Sequence, residues 1–201
     1  MGLLTSPRKL VEAVKFHMQV HNLPDRKYVR EEILPAVKGE AFANVLLVGT
    51  RRYTVSYPAQ LASPGTLVWT VDLDPSAAKF GNGKHHQVGD VCEVAELFPD
   101  LRFDAVMANG LLGFGIDSLD DIRRFADAMY ESLQPGGFLM LGWDADRTAD
   151  PTSNSDIAAR FDHAPMAALP KRKSFVGCAG FDHVFDWFRR KPEWEAEQPP
   201  T

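Results

Sequence analysis

Val45-Leu46-Leu47-Val48-Gly49-Thr50 is the stretch whose reading decides the fold. Four apolar residues in a row end at a glycine. A short run apolar at every position reads as a strand buried on both faces, as the strands of parallel sheets are. Such a strand needs helices above and below it and a crossover to its neighbour. The following residues provide these. Ser56 and Pro58 open a helix reaching about Ala62, Ser63-Pro64-Gly65 turns the chain, and Leu67–Val71 is a second apolar run ending in Asp72. Pro75–Lys79 allows a short helix, a third strand ends near Val88, and Val91–Phe98 can be helical. Phe103–Ala108 is a fourth strand ending at Asn109-Gly110.

Residues 118–133 are expected to be a helix. Leu119, Ile122, Phe125, Ala126, Met129 and Leu133 form one apolar stripe, and Ser118 is a good N-cap. Pro135-Gly136-Gly137 ends it, and Phe138–Trp143 is a fifth strand. His183–Arg190 alternates Val184, Phe185, Trp187 and Phe188 with polar residues, the pattern of a final strand. Upstream, Leu10, Val11, Val14 and Met18 recur at helical spacing. Asp25 can cap a second helix through Ile33 and Leu34, limited by Pro35 and Gly39. Glu193–Thr201 is charged and Pro-rich and reads as a disordered tail. The expectation is a single α/β domain over residues 1–192, with 1–40 as a helical cover and 144–192 holding a lid segment and the last strand.

The 201 residues carry 22 basic and 27 acidic side chains, a net charge of −5. A mildly acidic chain lacks the positive field that non-specific nucleic-acid binding needs. The longest nearly apolar stretch, Ala105–Ile116, is too short and broken to span a bilayer, and Met1–Arg8 shows no signal-peptide pattern. Cys92 and Cys178 make neither a metal spacing nor a disulfide framework, which fits a reducing cytoplasm. His17 with His21, and His85 with His86, are pairs without a third ligand, so no metal site is expected.

In open parallel sheets, ligands bind beyond the carboxyl ends of the strands. That rule gathers Gly49–Tyr53, Asp72, Asp90, Asn109–Phe114 and Trp143–Asp146 around one crevice. Asp72 lies a little over 20 residues beyond Gly49, where nucleotide-binding sheets place the acid that holds ribose. It can equally cap the next helix, a role for which Asp74 competes. Asp90 can accept from an adenine amine or cap the turn at Val91. Gly110 allows close approach of a ligand to the backbone, or simply a tight turn.

Val45-Leu46-Leu47-Val48-Gly49, Val71-Asp72-Leu73-Asp74-Pro75, Gly89-Asp90, Phe103–Gly110 and Leu133-Gln134-Pro135-Gly136-Gly137-Phe138 occur in one order at regular intervals. Over residues 44–143 the chain resembles the class I S-adenosylmethionine-dependent methyltransferases. The resemblance implies a Rossmann-like α/β fold: a mostly parallel sheet with an antiparallel last strand and helices on both faces. It implies S-adenosylmethionine as cofactor. Its methionine end would lie at Gly49, Thr50, Arg51 and Tyr53, its ribose at Asp72 and Leu73, and its adenine at Asp90 and Val91. Asn109 and Gly110 would floor the site. The family's first loop usually reads Gly-x-Gly-x-Gly; here Gly49-Thr50-Arg51-Arg52-Tyr53-Thr54 keeps only the first glycine. An Arg there can meet the cofactor's carboxylate, suit a more anionic ligand, or mark a member that has lost binding.

Methyl transfer needs alignment above all, and a base only where the acceptor keeps its proton. Asp144 and Asp146 after the fifth strand, and His163 in the expected lid 155–169, are the candidates. The function implied is methylation of a small-molecule or glycan-like acceptor. The alternatives are a non-catalytic binding or assembly module, and an enzyme using another adenosine ligand. A homodimer is compatible with these readings.

Overall fold

The computed structural model describes residues 21–178 and 180–192. The helical stripe Leu10–Met18, the His17 half of the first histidine pair and the tail 193–201 lie outside the described residues.

The sheet has eight strands in the order β3-β2-β1-β4-β5-β8-β6, with β7 also on β8. β1 (Asn44–Val48), β2 (Leu67–Asp72), β3 (His86–Val88), β4 (Phe103–Asn109) and β5 (Leu133–Asp144) are mutually parallel. β6 (Phe161–His163) and β7 (Arg172–Cys178) each pair antiparallel with β8 (Phe181–Arg190), which itself runs antiparallel to β5. Thus the antiparallel last strand lies inside the sheet rather than at its edge.

Strand alternation feeds two cores. Leu46, Val106, Leu139 and Leu141 face α4 (Leu119–Ser132), whose Phe125 and Met129 are fully buried. Val45, Leu47, Met107 and Met140 face α1 (24–39) and α2 (Tyr57–Leu61). A sheet sandwiched in this way accounts for the continuous apolar run of β1. Among the described residues there are two further α-helices, α3 (Val94–Leu97) and α5 (Ser155–Arg160).

Three elements depart from the sequence reading. α1 starts at Pro24, with Asp25 inside its first turn and Leu23 at the cap position. It also continues past Pro35, because Val29–Ile33 widens into a π-segment in which Leu34 N–H bonds Val29 O. A widened turn absorbs the N–H that proline lacks. Ser118 does cap α4, accepting from Asp121 N–H at 3.1 Å. Leu119, however, is 74 % exposed and drops out of the stripe. β5 begins at Leu133, so Pro135-Gly136-Gly137 lies within the strand at a shift in its register with β4. Gly137 fits because a Cβ there would stand 2.9 Å from Gln134 O and 3.0 Å from Asp104 O.

Candidate active site

The carboxyl ends of the parallel strands open into a cavity of about 880 Å3. Into it β1 delivers Gly49, Arg51 and Tyr53, and β2 delivers Asp72 and Leu73. The turn after β3 brings Asp90 and Val91, β4 brings Asn109 and Gly110, and β5 brings Asp144. Ten residues expected at one crevice therefore share one wall-to-wall space. Thr50 sits just behind it: it is buried, and its Oγ1 donates to Ala77 O at 3.1 Å.

The altered loop is built without the missing glycines. Gly49 takes φ +81°, a left-handed conformation suited to glycine. Arg51 then runs extended (φ −139°, ψ 163°), which any residue can adopt, and Arg52–Thr54 closes a 3-10 turn. Thr54 N–H donates to Arg51 O, and Arg51 N–H to Thr54 Oγ1, both at 2.9 Å. Arg52 is exposed.

Asp72 is buried at the hub of this loop. Its Oδ2 accepts from Thr50 N–H at 2.6 Å and from Arg51 Nη1 at 2.7 Å, and its Oδ1 accepts from Asp74 N–H at 2.9 Å. A carboxylate has about four acceptor sites, so Oδ1 retains an unused one while Arg51 fills Oδ2. Helix capping falls to Asp74, which accepts from Ser76 N–H at 2.8 Å. Asp90 divides its carboxylate: Oδ1 accepts from Cys92 N–H at 2.9 Å, and Oδ2 lies 3.8 Å from Arg124 Nη2. On the floor, Asn109 Oδ1 is buried without a hydrogen-bond partner among the described residues. Gly142 makes room for it, since a Cβ at residue 142 would overlap that oxygen.

Beside Asp144, a sequence-selected candidate, the cavity wall at the ends of β5 and β8 holds groups that the sequence reading did not select. Asp144 Oδ1 lies 2.7 Å from Nδ1 of His183, its partner across β5 and β8. His183 is 5 % exposed, and its Nε2 has no hydrogen-bond partner among the described residues. Burial lowers the imidazole pKa below its ordinary value, as does Arg26, while the Asp144 hydrogen bond acts in the opposite sense. Asp25 and Arg26 approach from α1, and Cys178 Sγ lies 3.1 Å from Asp25 Oδ1. The signal available in the sequence was positional: His183 sits at the end of an alternating strand where it meets the end of β5.

Asp146 and His163 do not reach the cavity. Asp146 is exposed in the turn after β5. His163 Nε2 lies 2.9 Å from Asp186 Oδ1. Asp186 has no exposure and also accepts from Arg172 Nε and Nη2 and from Trp143 Nε1. The expected lid follows the same course: α5 packs against α4 through Arg160 and Asp127, and β6 extends the sheet. Burying Ile157 and Phe161 in the α4-side core holds this segment away from the crevice. His85 and His86 are also absorbed in packing, His85 against Trp69 and His86 on Thr70 Oγ1.

Fold and cavity together define an α/β domain with an open cavity across the carboxyl ends of a 3-2-1-4-5 sheet, where such sheets bind ligands. Residues 48–141 match the family model described as a methyltransferase domain. The match covers a little under half of the chain, and the mostly parallel sheet with its antiparallel strand is that of the Rossmann-like methyltransferase fold. It is similar in fold to the N-methyltransferase NodS from Bradyrhizobium japonicum WM9, with a TM-score of 0.66 and 18 % identity over 85 % of this chain and 99 % of that one. The NodS complex with S-adenosyl-L-homocysteine aligns with the same TM-score at 19 % identity, over 87 % of this chain and 91 % of the other. An O-methyltransferase from Bacillus cereus, in complex with S-adenosylhomocysteine, aligns at 0.58 and 14 % identity over 94 % and 93 % of the two chains. No curated protein matches the sequence.

Proposed function

We propose that the chain is an S-adenosylmethionine-dependent methyltransferase acting on a small-molecule or glycan-like acceptor. The observation that carries this reading is the charge of the cavity. Among the described residues, Asp25, Asp72, Asp74, Asp90 and Asp144 line it against Arg26 and Arg51. Such a field attracts a ligand bearing a sulfonium and an ammonium and disfavours a pyrophosphate. The volume lies within the roughly 300–1,000 Å3 range of small-molecule sites.

The residues present suit this cofactor. Asp72 Oδ1 has an acceptor site for one ribose hydroxyl. Asp90 and Val91 stand where the adenine would lie. The unpartnered Asn109 Oδ1 can accept from an ammonium. Gly49 and Gly110 keep Cβ atoms away from the methionine end. When bound, S-adenosylmethionine supplies a methyl group on a positively charged sulfur. The protein's part is to align the acceptor with that methyl and to exclude water. NodS and the Bacillus cereus enzyme, both crystallised with S-adenosylhomocysteine, support the assignment.

A second reading has one observation in its favour. Arg51 occupies Asp72 Oδ2, as it would in a member that keeps the fold as a binding module. Calorimetric titration with S-adenosylmethionine, S-adenosylhomocysteine and a nicotinamide dinucleotide separates the readings. Micromolar binding of the first two and none of the third is expected. Dinucleotide binding alone would assign another adenosine ligand, and no binding at all would favour the module. The net charge and the two free cysteines fit a cytoplasmic protein that does not act on nucleic acid.

A further inference from the structure

The cavity wall at the ends of β5 and β8 carries a buried histidine with one nitrogen engaged and the other unused. Asp144, a carboxylate, only accepts hydrogen bonds, so the proton between it and His183 sits on Nδ1. In the neutral imidazole, Nε2 then carries a lone pair. That atom is buried without a partner among the described residues, on a residue lining the cavity. An unsatisfied buried polar atom costs on the order of 1–3 kcal/mol, so each calls for an explanation. A proton donor brought by a ligand would satisfy this one.

We propose that His183 is the general base of the methyl transfer, that Asp144 is its positioning residue, and that the acceptor is a phenolic hydroxyl. The proposal rests on the methyltransferase reading above. In the step it describes, a lone pair of the phenol oxygen forms the new O–CH3 bond. The C–S bond of the sulfonium donor breaks, and its electron pair stays on sulfur as a neutral thioether. The O–H bond breaks with its pair remaining on oxygen, and the proton goes to His183 Nε2. The resulting imidazolium is stabilised by Asp144 and later loses its proton to water.

The acceptor class follows from basicity and from the walls. A buried imidazole that protonates less readily than usual suits an acid such as phenol, with a pKa of about 10, and not an aliphatic alcohol, which is far weaker. Tyr53, Phe114 and Phe181 offer aromatic surface in the same cavity, with Arg147 lying 4.5 Å from the Phe114 ring centre and 4.9 Å from that of Phe181. Among the described residues, the charged groups acting on His183 are Asp144 from β5 and Asp25 and Arg26 from α1; Cys178, at the end of β7, is bonded to Asp25. Burial, the largest effect, and Arg26 oppose protonation while the carboxylates favour it, and the balance lies below the ordinary imidazole pKa.

The test compares the wild type with His183→Gln and Asp144→Asn, using phenol and 4-nitrophenol as acceptors at about pH 8.5, where phenol keeps its proton and nitrophenol has lost it. Binding of S-adenosylhomocysteine by calorimetry and the 15N shifts of His183 in the free protein are read in parallel. The expected result is a loss of kcat of about a hundredfold on phenol in His183→Gln. On nitrophenolate the loss should stay under about threefold, because no base is needed there. Asp144→Asn should shift the pH profile on phenol and reverse the Nδ1–H tautomer. Equal losses on both acceptors, methylation of neither by the wild type, or an Nε2–H tautomer in the free protein would overturn the proposal while leaving the cofactor reading intact. Failure of S-adenosylhomocysteine to bind the wild type would instead overturn the cofactor reading, and this proposal with it.

Discussion

Removing the Arg51 side chain should tighten cofactor binding rather than weaken it. Nη1 of Arg51 lies 2.7 Å from Asp72 Oδ2, the oxygen that a second ribose hydroxyl would need. The Asp72 side chain is 5 % exposed but that of Arg51 is 55 % exposed, so the pair is screened on one side. Ion pairs with an exposed partner contribute about 0–1 kcal/mol. The buried carboxylate places this one near the upper end, at about 1 kcal/mol. Breaking it before binding therefore weakens the wild type by up to about fivefold, where 1.4 kcal/mol is tenfold. Arg51→Ala removes that cost and leaves Asp72 held by Thr50 N–H and Asp74 N–H. Calorimetry with S-adenosylhomocysteine should give a Kd two- to fivefold lower (about 0.4–1 kcal/mol) in the variant. Salt supplies the control: raising it to about 0.5 M screens the pair and should narrow the difference. A variant that binds more than about threefold more weakly would refute the reasoning and make Arg51 a ligand to the methionine carboxylate.

Other consequences can be measured singly. Gly142→Ala places a Cβ on Asn109 Oδ1; crowding of this kind costs about 1–3 kcal/mol, seen by urea denaturation, and S-adenosylhomocysteine affinity should fall with it. Phe125→Ala, which empties a fully buried position under α4, should cost about 3–5 kcal/mol in the same assay with cofactor affinity retained in the folded fraction. Because His183 resists protonation when folded, the unfolded chain binds that proton first as pH falls below about 6.5, so stability drops there; His183→Gln should flatten that part of the profile. Arg172 holds the Asp150 carboxyl well below the usual range, through bonds of 2.7 Å to both of its oxygens. That contribution is present above the unfolded pKa, near 3.9, and is lost as pH falls below it. Arg172→Gln should therefore shrink the acid-side loss of stability.

Residues whose burial is dictated by their own local pattern were legible in the sequence. β1 and β4 are apolar at almost every position because helices cover both faces, and the residues at their ends then follow from the rule for parallel sheets. Asp72, Asp90 and Asn109 reach the cavity for that reason. The strands that depend on a partner were not legible. In β7 only Cys178 is buried, and Arg172–Val176 carry no alternation, so the strand exists through its ladder with β8. β6 is three residues long. Missing both strands left 155–169 free to be imagined as a lid, and His163 with it. The seat of His163 at Asp186 depends on Trp143 and Arg172, which are distant in sequence. His183 was hidden in a similar way. As one polar position in an alternating strand it means little, and it gains meaning only once β8 is laid against β5 and Asp144 becomes its neighbour. The first loop shows a converse lesson: Gly49–Thr54 closes with a single glycine, because the backbone runs extended at Arg51 and then forms a 3-10 turn.

The most direct test of the account is the affinity of S-adenosylhomocysteine for the wild type and for Asp72→Ala, measured by calorimetry on protein stripped of carried-over ligand. The account predicts micromolar binding that Asp72→Ala weakens by about tenfold or more, about 1.4 kcal/mol. Equal affinity in both proteins would contradict a ribose held by Asp72, and no binding to the folded wild type would contradict the cofactor site itself.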